Sequence, residues 1–179
     1  MCYDVIKQSD LANKTLVDIE SLVKTIPQKP LSDLRYSDIF RPANSCIGLY
    51  FIKSPDGSML YIGKSCSRSI AERIGSHFDC RSNSVLNSLV RAYCKKRVPG
   101  VNGHFTDNDL YKAFAKLQDW KFSALFVEWT DEDYAKRLIS KVESLLIFHL
   151  HQKNGGNCIN GTRRIHNINV NTHIKSLIP

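Results

Sequence analysis

Two tyrosines, Tyr50 and Tyr61, stand in short runs that each join a tyrosine to a glycine, Gly48-Leu49-Tyr50 and Tyr61-Ile62-Gly63, on either side of Ser54-Pro55-Asp56-Gly57. Downstream, Arg73 and His77 are four residues apart, a spacing that sets a guanidinium and an imidazole on one helical face. Much later Glu143 lies on the border of the apolar stripe Ile139, Val142, Leu146 and Leu150, where a carboxylate is costly unless a cation or hydrogen bonds hold it. Phenol, imidazole and carboxylate are proton-transfer groups, and guanidinium forks bind oxyanions. Singly, each has an ordinary explanation: a solvated Arg-His pair, a glutamate snorkelling at a helix border. Together, in a basic chain, they point to chemistry on an anionic substrate.

The elements that must position these groups are legible from pattern. Cys46 to Ile52 and Met59 to Gly63 are rich in β-branched and aromatic residues and flank a Pro-Asp-Gly turn, which predicts an antiparallel hairpin. Three amphipathic helices are expected next: one through Ile70, Ile74 and Phe78, one through Val85, Leu86, Leu89, Val90 and Tyr93, and one opening at Thr106 with a Thr-x-x-Asp cap. Trp120 to Trp129 reads as a third strand, and the segment from Asp131 as a long helix, acidic at its start and closed by Gly155-Gly156. Ahead of all this, Leu11, Leu16, Ile19, Leu22, Val23 and Ile26 predict an N-terminal helix capped by Ser9 or Asp10 and ended by Pro27. A connector follows, and residues 1–45 together are expected to wrap a domain spanning 46–160. Residues 161–179 form a tail without periodicity.

The 25 Lys and Arg against 17 Asp and Glu leave a formal charge of +8, so nucleic acid is the first partner to consider. The start of the chain has no apolar signal core and no run of eighteen apolar residues occurs, so a cytoplasmic protein without a membrane span is expected. The six cysteines are scattered, without the close-spaced pairs that structural zinc requires, and reduced thiols are expected.

In this order (Gly-Leu-Tyr, Tyr-Ile-Gly, Arg-x-x-x-His on the next helix, a Glu on a later helix and an Asn beyond it), residues 46 to about 160 resemble the GIY-YIG nuclease superfamily. The resemblance implies an α+β fold with a small three-stranded antiparallel sheet flanked by helices, and metal-dependent hydrolysis of DNA. It makes Tyr50 and Tyr61 the motif tyrosines, Gly48 and Gly63 the motif glycines, Arg73 the motif arginine and Glu143 the ligand of one Mg²⁺ or Mn²⁺. Asn160 becomes the motif asparagine, orienting Glu143 or a tyrosine, with Asn154 and Asn157 close by. His77 resembles the histidine of the homing-endonuclease and some restriction-enzyme branches, and Leu49 stands where the family usually has Ile or Val. On this basis the glycines are expected to let a scissile phosphate approach the backbone, and a tyrosine to activate water if Arg73, Lys64 or the metal lowers its pKa, with His77 as the competing base.

The length of the chain and the helical insertion at about 82–117 are similar to stand-alone type II restriction enzymes, small homodimers that cut double-stranded DNA. Arg91, Lys95, Lys96 and Arg97, with the stretch VPGVNGHF, are expected to join Lys64, Gly48 and Gly63 in contacting the nucleic acid, unless the insertion is simply a solvated helical pair. Other readings are a phage, mobile-element or toxin nuclease acting on DNA or RNA, and a non-catalytic nucleic-acid-binding module.

Overall fold

The computed structural model describes residues 2–39, 47–97, 104–153, 155, 158–160 and 169–178. Five strands form one mixed sheet: β1 (Tyr3–Lys7), β2 (Lys29–Pro30), β3 (Gly48–Lys53), β4 (Leu60–Ser65) and β5 (Lys121–Glu128), in the order β1-β5-β3-β4, with β2 paired to the start of β5. The expected three antiparallel strands are the β4-β3-β5 part of it; the expectation of a three-stranded sheet is corrected by β2 and by β1, which runs parallel to β5. In β1 Ile6 is buried while Asp4, Val5 and Lys7 are exposed, the charged pattern of a protected edge, which is why the segment did not read as a strand.

The expected hairpin closes through Ser54 and Asp56. The Ser54 hydroxyl donates to Asp56, Asp56 accepts from the backbone N–H of Ser58, and Gly57 takes φ +72°, the left-handed conformation that favours glycine.

Seven helices are described: α1 (Gln8–Ala12), α2 (Leu16–Thr25), α3 (Tyr36–Ile39), α4 (Ile70–His77), α5 (Ser88–Arg97), α6 (Asp107–Leu117) and α7 (Glu132–Lys153). The single N-terminal helix expected from Ser9 is two, because Thr15 and Asp18 form a reciprocal capping box that starts α2 afresh. Similarly α5 begins at Ser88 rather than before Val85, whose side chain is 89% exposed. The cap expected at Thr106 forms with Asp109, and Gly155, at φ +60°, follows the end of α7 as expected.

The sheet separates two cores. On one face Leu49, Phe51, Ile62, Leu125 and Val127 pack with residues of α1, α2 and α7, and Ile174 of the tail closes over them. On the other, Tyr50, Ile52, Tyr61, Phe122, Ala124 and Phe126 pack with residues of α4, α5 and α6. Residues 169–178 are tied at the α1–α2 junction, where Ile174 N–H donates to Lys14 O and Leu16 N–H donates to Val170 O. No described helix is long and apolar enough to cross a membrane.

Candidate active site

The hairpin and α4 bring the expected residues together by two local devices. Register sets Tyr50 of β3 directly opposite Gly63 of β4, so both face the α4–α6 layer. A capping box between Ser69 and Glu72 fixes the first turn of α4, and Ile70 and Ile74 anchor it in that same core, which turns Arg73 and His77 toward the tyrosines.

The result is a hydrogen-bonded chain of four side chains. Tyr50 Oη meets His77 Nε2 at 2.5 Å, His77 Nδ1 meets Ser88 Oγ at 3.0 Å, and Ser88 Oγ meets Tyr61 Oη at 3.0 Å. The rings pack as well: Tyr50 stacks on Tyr61 with centroids 6.3 Å apart, and Tyr61 meets His77 edge-on at 5.1 Å. Tyr50 and His77 are 0% and 1% exposed and Tyr61 5%, so the phenols belong to the core rather than projecting free of it.

Burial governs the protonation of the chain. It pushes Tyr50 far above the ordinary phenol value, with a contribution from Tyr61, and outweighs the opposing charge and hydrogen bond of Arg73. Tyr61 is raised for the same first reason. Burial, then the positive charge of Arg73, drives His77 down to about 3. The expectation of a tyrosine with lowered pKa is therefore reversed: Tyr50 stays a phenol and His77 a neutral imidazole across the working pH range. If Tyr50 donates to Nε2, the neutral ring carries its proton on Nδ1 and donates to Ser88, which donates on to Tyr61.

Arg73 Nε is buried without a hydrogen-bond partner, while the Arg73 side chain acts on Tyr50 through its charge and a hydrogen bond. Glu143, on α7, pairs with Lys64 of β4 at 3.1 Å, and its charge reaches both phenols. Among the described residues no three His, Cys, Asp or Glu side chains gather as a metal-ligand group. A single carboxylate completed by water and phosphate oxygens is nonetheless a donor set that Mg²⁺ accepts, so Glu143 fits one ion, which would displace Lys64.

The glycines answer to packing. A Cβ on Gly63 would lie 2.0 Å from Tyr50 Cζ, and one on Gly48 2.5 Å from Leu125 O. The space beside Gly63 is thus filled by the Tyr50 ring and that beside Gly48 by β5, not left open for a phosphate. Asn160 also has a different place from the expected one: its amide donates to Ile62 O and accepts from Ile62 N–H at 2.8 Å, so it pairs with the outer edge of β4 as a strand would. Ile159 N–H donates to Leu60 O alongside it. Asn154 and Asn157 lie outside the described residues.

A cleft of about 600 Å³ opens beside the chain, lined by Ser88, Arg91, Lys95, Lys96, His151 and Asn160 among others. Lys95, Lys96 and Arg97 are exposed at the end of α5. Arg91 is committed to the fold instead: it donates to Asn87 Oδ1 at 2.6 Å and to Ser82 O, and lies over the Phe105 ring. Most of VPGVNGHF falls outside the described residues.

Ser88 is the site residue that sequence reasoning missed. At the first position of a helix a serine reads as a helix-start residue, and only the packing of α5 against α4 discloses its two partners. His151, with a buried and unpartnered Nδ1 on the cleft, was missed likewise. Comparison with family models, with curated proteins and with solved structures finds no match for this chain.

Proposed function

We propose that this protein is a GIY-YIG-type, metal-dependent endonuclease that hydrolyses phosphodiester bonds of double-stranded DNA, in the manner of a small dimeric type II restriction enzyme. The observation that carries the reading is the Tyr50-His77-Ser88-Tyr61 chain, with the free Nε of Arg73 beside it and the Glu143 carboxylate within electrostatic range.

Arg73 holds the scissile phosphate, its planar fork suited to charge building on the non-bridging oxygens. Water attacks phosphorus and gives its proton to Tyr61 Oη, the less enclosed phenol, as the Tyr61 proton passes to Ser88 Oγ and the Ser88 proton to His77 Nδ1; the P–O3′ bond breaks, and the leaving oxygen is protonated from solvent. A bound phosphate neutralises Arg73 and so removes one of the two causes that hold His77 at about 3, making the imidazole a better acceptor when substrate is in place. Ser88 fixes the His77 tautomer and ties Tyr61 to it. A Mg²⁺ or Mn²⁺ ion on Glu143 would supply positive charge for the departing 3′-oxygen. Lys95, Lys96 and Arg97 suit the flanking backbone phosphates.

A second reading, a nucleic-acid-binding module without catalysis, is favoured by the complete enclosure of Tyr50 and by Lys64 seated on Glu143. Incubation of plasmid with wild type and with Glu143→Ala in Mg²⁺ separates them. Discrete fragments from the wild type, none from the variant, and DNA retention by both are expected. Retention without cleavage by the wild type establishes the module, and cleavage by Glu143→Ala removes the metal assignment.

A further inference from the structure

A second cavity lies on the opposite face of the sheet, remote in role from the tyrosine chain. It encloses about 240 Å³ between α2, α7 and strands β3 and β5. Its floor is apolar, from Phe51, Leu146 and Leu150, with Val23 and Leu60 at the sides. An apolar cavity of about 150 Å³ already takes a benzene-sized ring, so this volume accommodates a flat aromatic or short aliphatic body.

Its walls carry two unusual polar features. β5 buries six consecutive residues, Phe122 to Val127, and the one polar side chain among them is Ser123, in register with Phe51 on the cavity floor. Ser123 thus puts the single hydroxyl of this buried run on the cavity lining, where a polar group of a ligand can meet it. At the mouth, Lys53 and Lys121 are direct cross-strand neighbours on the same face, the arrangement in which like charges repel. Neither has an ion-pair partner among the described residues. Lys24 and Lys153, also on the rim, are already taken by Glu20 at 2.7 and 2.8 Å, and that glutamate is the sole acid among the lining residues. Four lysines against one carboxylate leave a surplus of positive charge over an apolar floor.

We propose that this cavity binds a small amphipathic anion, its apolar body on Phe51, Leu146 and Leu150, its sulfonate, carboxylate or phosphate group between Lys53 and Lys121, and Ser123 as a hydrogen-bond partner within. The assignment is independent of the nuclease reading. Binding of naphthalene-1-sulfonate to the full chain, followed by amide NMR shifts, tests it, with 2-naphthalenemethanol as the neutral body and inorganic phosphate as the bare anion. Saturable shifts centred on Phe51, Ser123 and Leu146 are expected, at least tenfold weaker for either partial probe. The Lys53→Met/Lys121→Met double variant, which changes two exposed side chains, should fold normally and bind the sulfonate at least tenfold more weakly. Ser123→Leu, which fills the floor, should abolish binding if its melting curve remains cooperative. No saturation, shifts confined to the Ser88–Lys95 cleft, or undiminished binding by the double variant overturns the proposal.

Discussion

Two buried polar clusters on opposite faces of one sheet are built on opposite principles. On the α4–α6 side, Tyr50, His77, Ser88 and Tyr61 bond to one another as neutral groups, and burial acts to keep them neutral. On the α2–α7 side, Glu20 has only 8% of its side chain exposed yet remains charged. Burial works against its ionisation, but hydrogen bonds from Lys153, Lys24 and His149 overcome it and lower its pKa to about 2. Long, flexible lysines can bring their charge to a fixed carboxylate, whereas aromatic rings locked by packing can only share protons among themselves. The Glu20 arrangement stabilises an ion, and the tyrosine–histidine one holds proton-transfer groups in fixed geometry without committing them to charge.

The comparison is most sharply probed at Arg73, whose charge acts on both Tyr50 and His77 of the neutral cluster. On the proposed nuclease reading, Arg73→Ala should lower the single-turnover cleavage rate by about 10²–10³, the usual cost of losing one transition-state donor. Arg73→Lys should fall within about tenfold of that, because an ammonium restores the charge without the fork. Near-normal cleavage by the lysine variant would reduce Arg73 to a simple charge, like the lysines around Glu20.

The fixed geometry of the neutral cluster depends on the seat of the Tyr50 ring. Gly63→Ala places a methyl 2.0 Å from Tyr50 Cζ and should destabilise the fold by about 2–3 kcal/mol in urea titrations, the cost of overpacking a core. Gly75→Ala, on exposed helix surface with nothing near its Cβ, should be neutral or slightly stabilising. Equal stability of the two variants would mean that the ring is not locked.

The smallest effect is electrostatic and separates the clusters by pH. The folded His77 pKa of about 3 lies below its ordinary unfolded value of about 6.5, so on acidification the unfolded chain takes up a proton first. Stability from this group should therefore fall as pH drops from about 6.5 toward 3, by at most about 1.4 kcal/mol per unit. The stabilisation from Glu20 is lost lower, between about 4.5 and 2. Urea titrations at pH 6 and pH 5 should show the loss in wild type and little of it in His77→Asn. An equal loss in the variant would place the early acid sensitivity elsewhere. On the proposed nuclease reading, the same depression predicts that cleavage rates do not level off near pH 6.5.

Periodicity and turn chemistry determined much of this molecule in advance. The hairpin around Pro55-Asp56-Gly57, helices α4, α6 and α7, strand β5, the Thr106 cap and the nearness of Arg73 and His77 on one helical face all follow from spacing, because they are local and each residue's neighbours in sequence are its neighbours in space. The tertiary structure decided what depends on partners far along the chain. The strand at Tyr3–Lys7 exists because β5 offers it an edge, not because five residues with one buried apolar side chain insist on it. Gly63 is glycine for the sake of Tyr50, thirteen positions earlier and directly across the ladder. Asn160 pairs with the outer edge of β4 because Ile62 has a backbone N–H and C=O unpaired by β3 there. Ser88 acquired its role only when α5 packed on α4. The protonation of the tyrosines and His77 was likewise beyond the sequence, since desolvation is a property of enclosure, and enclosure is fixed only when the layers close.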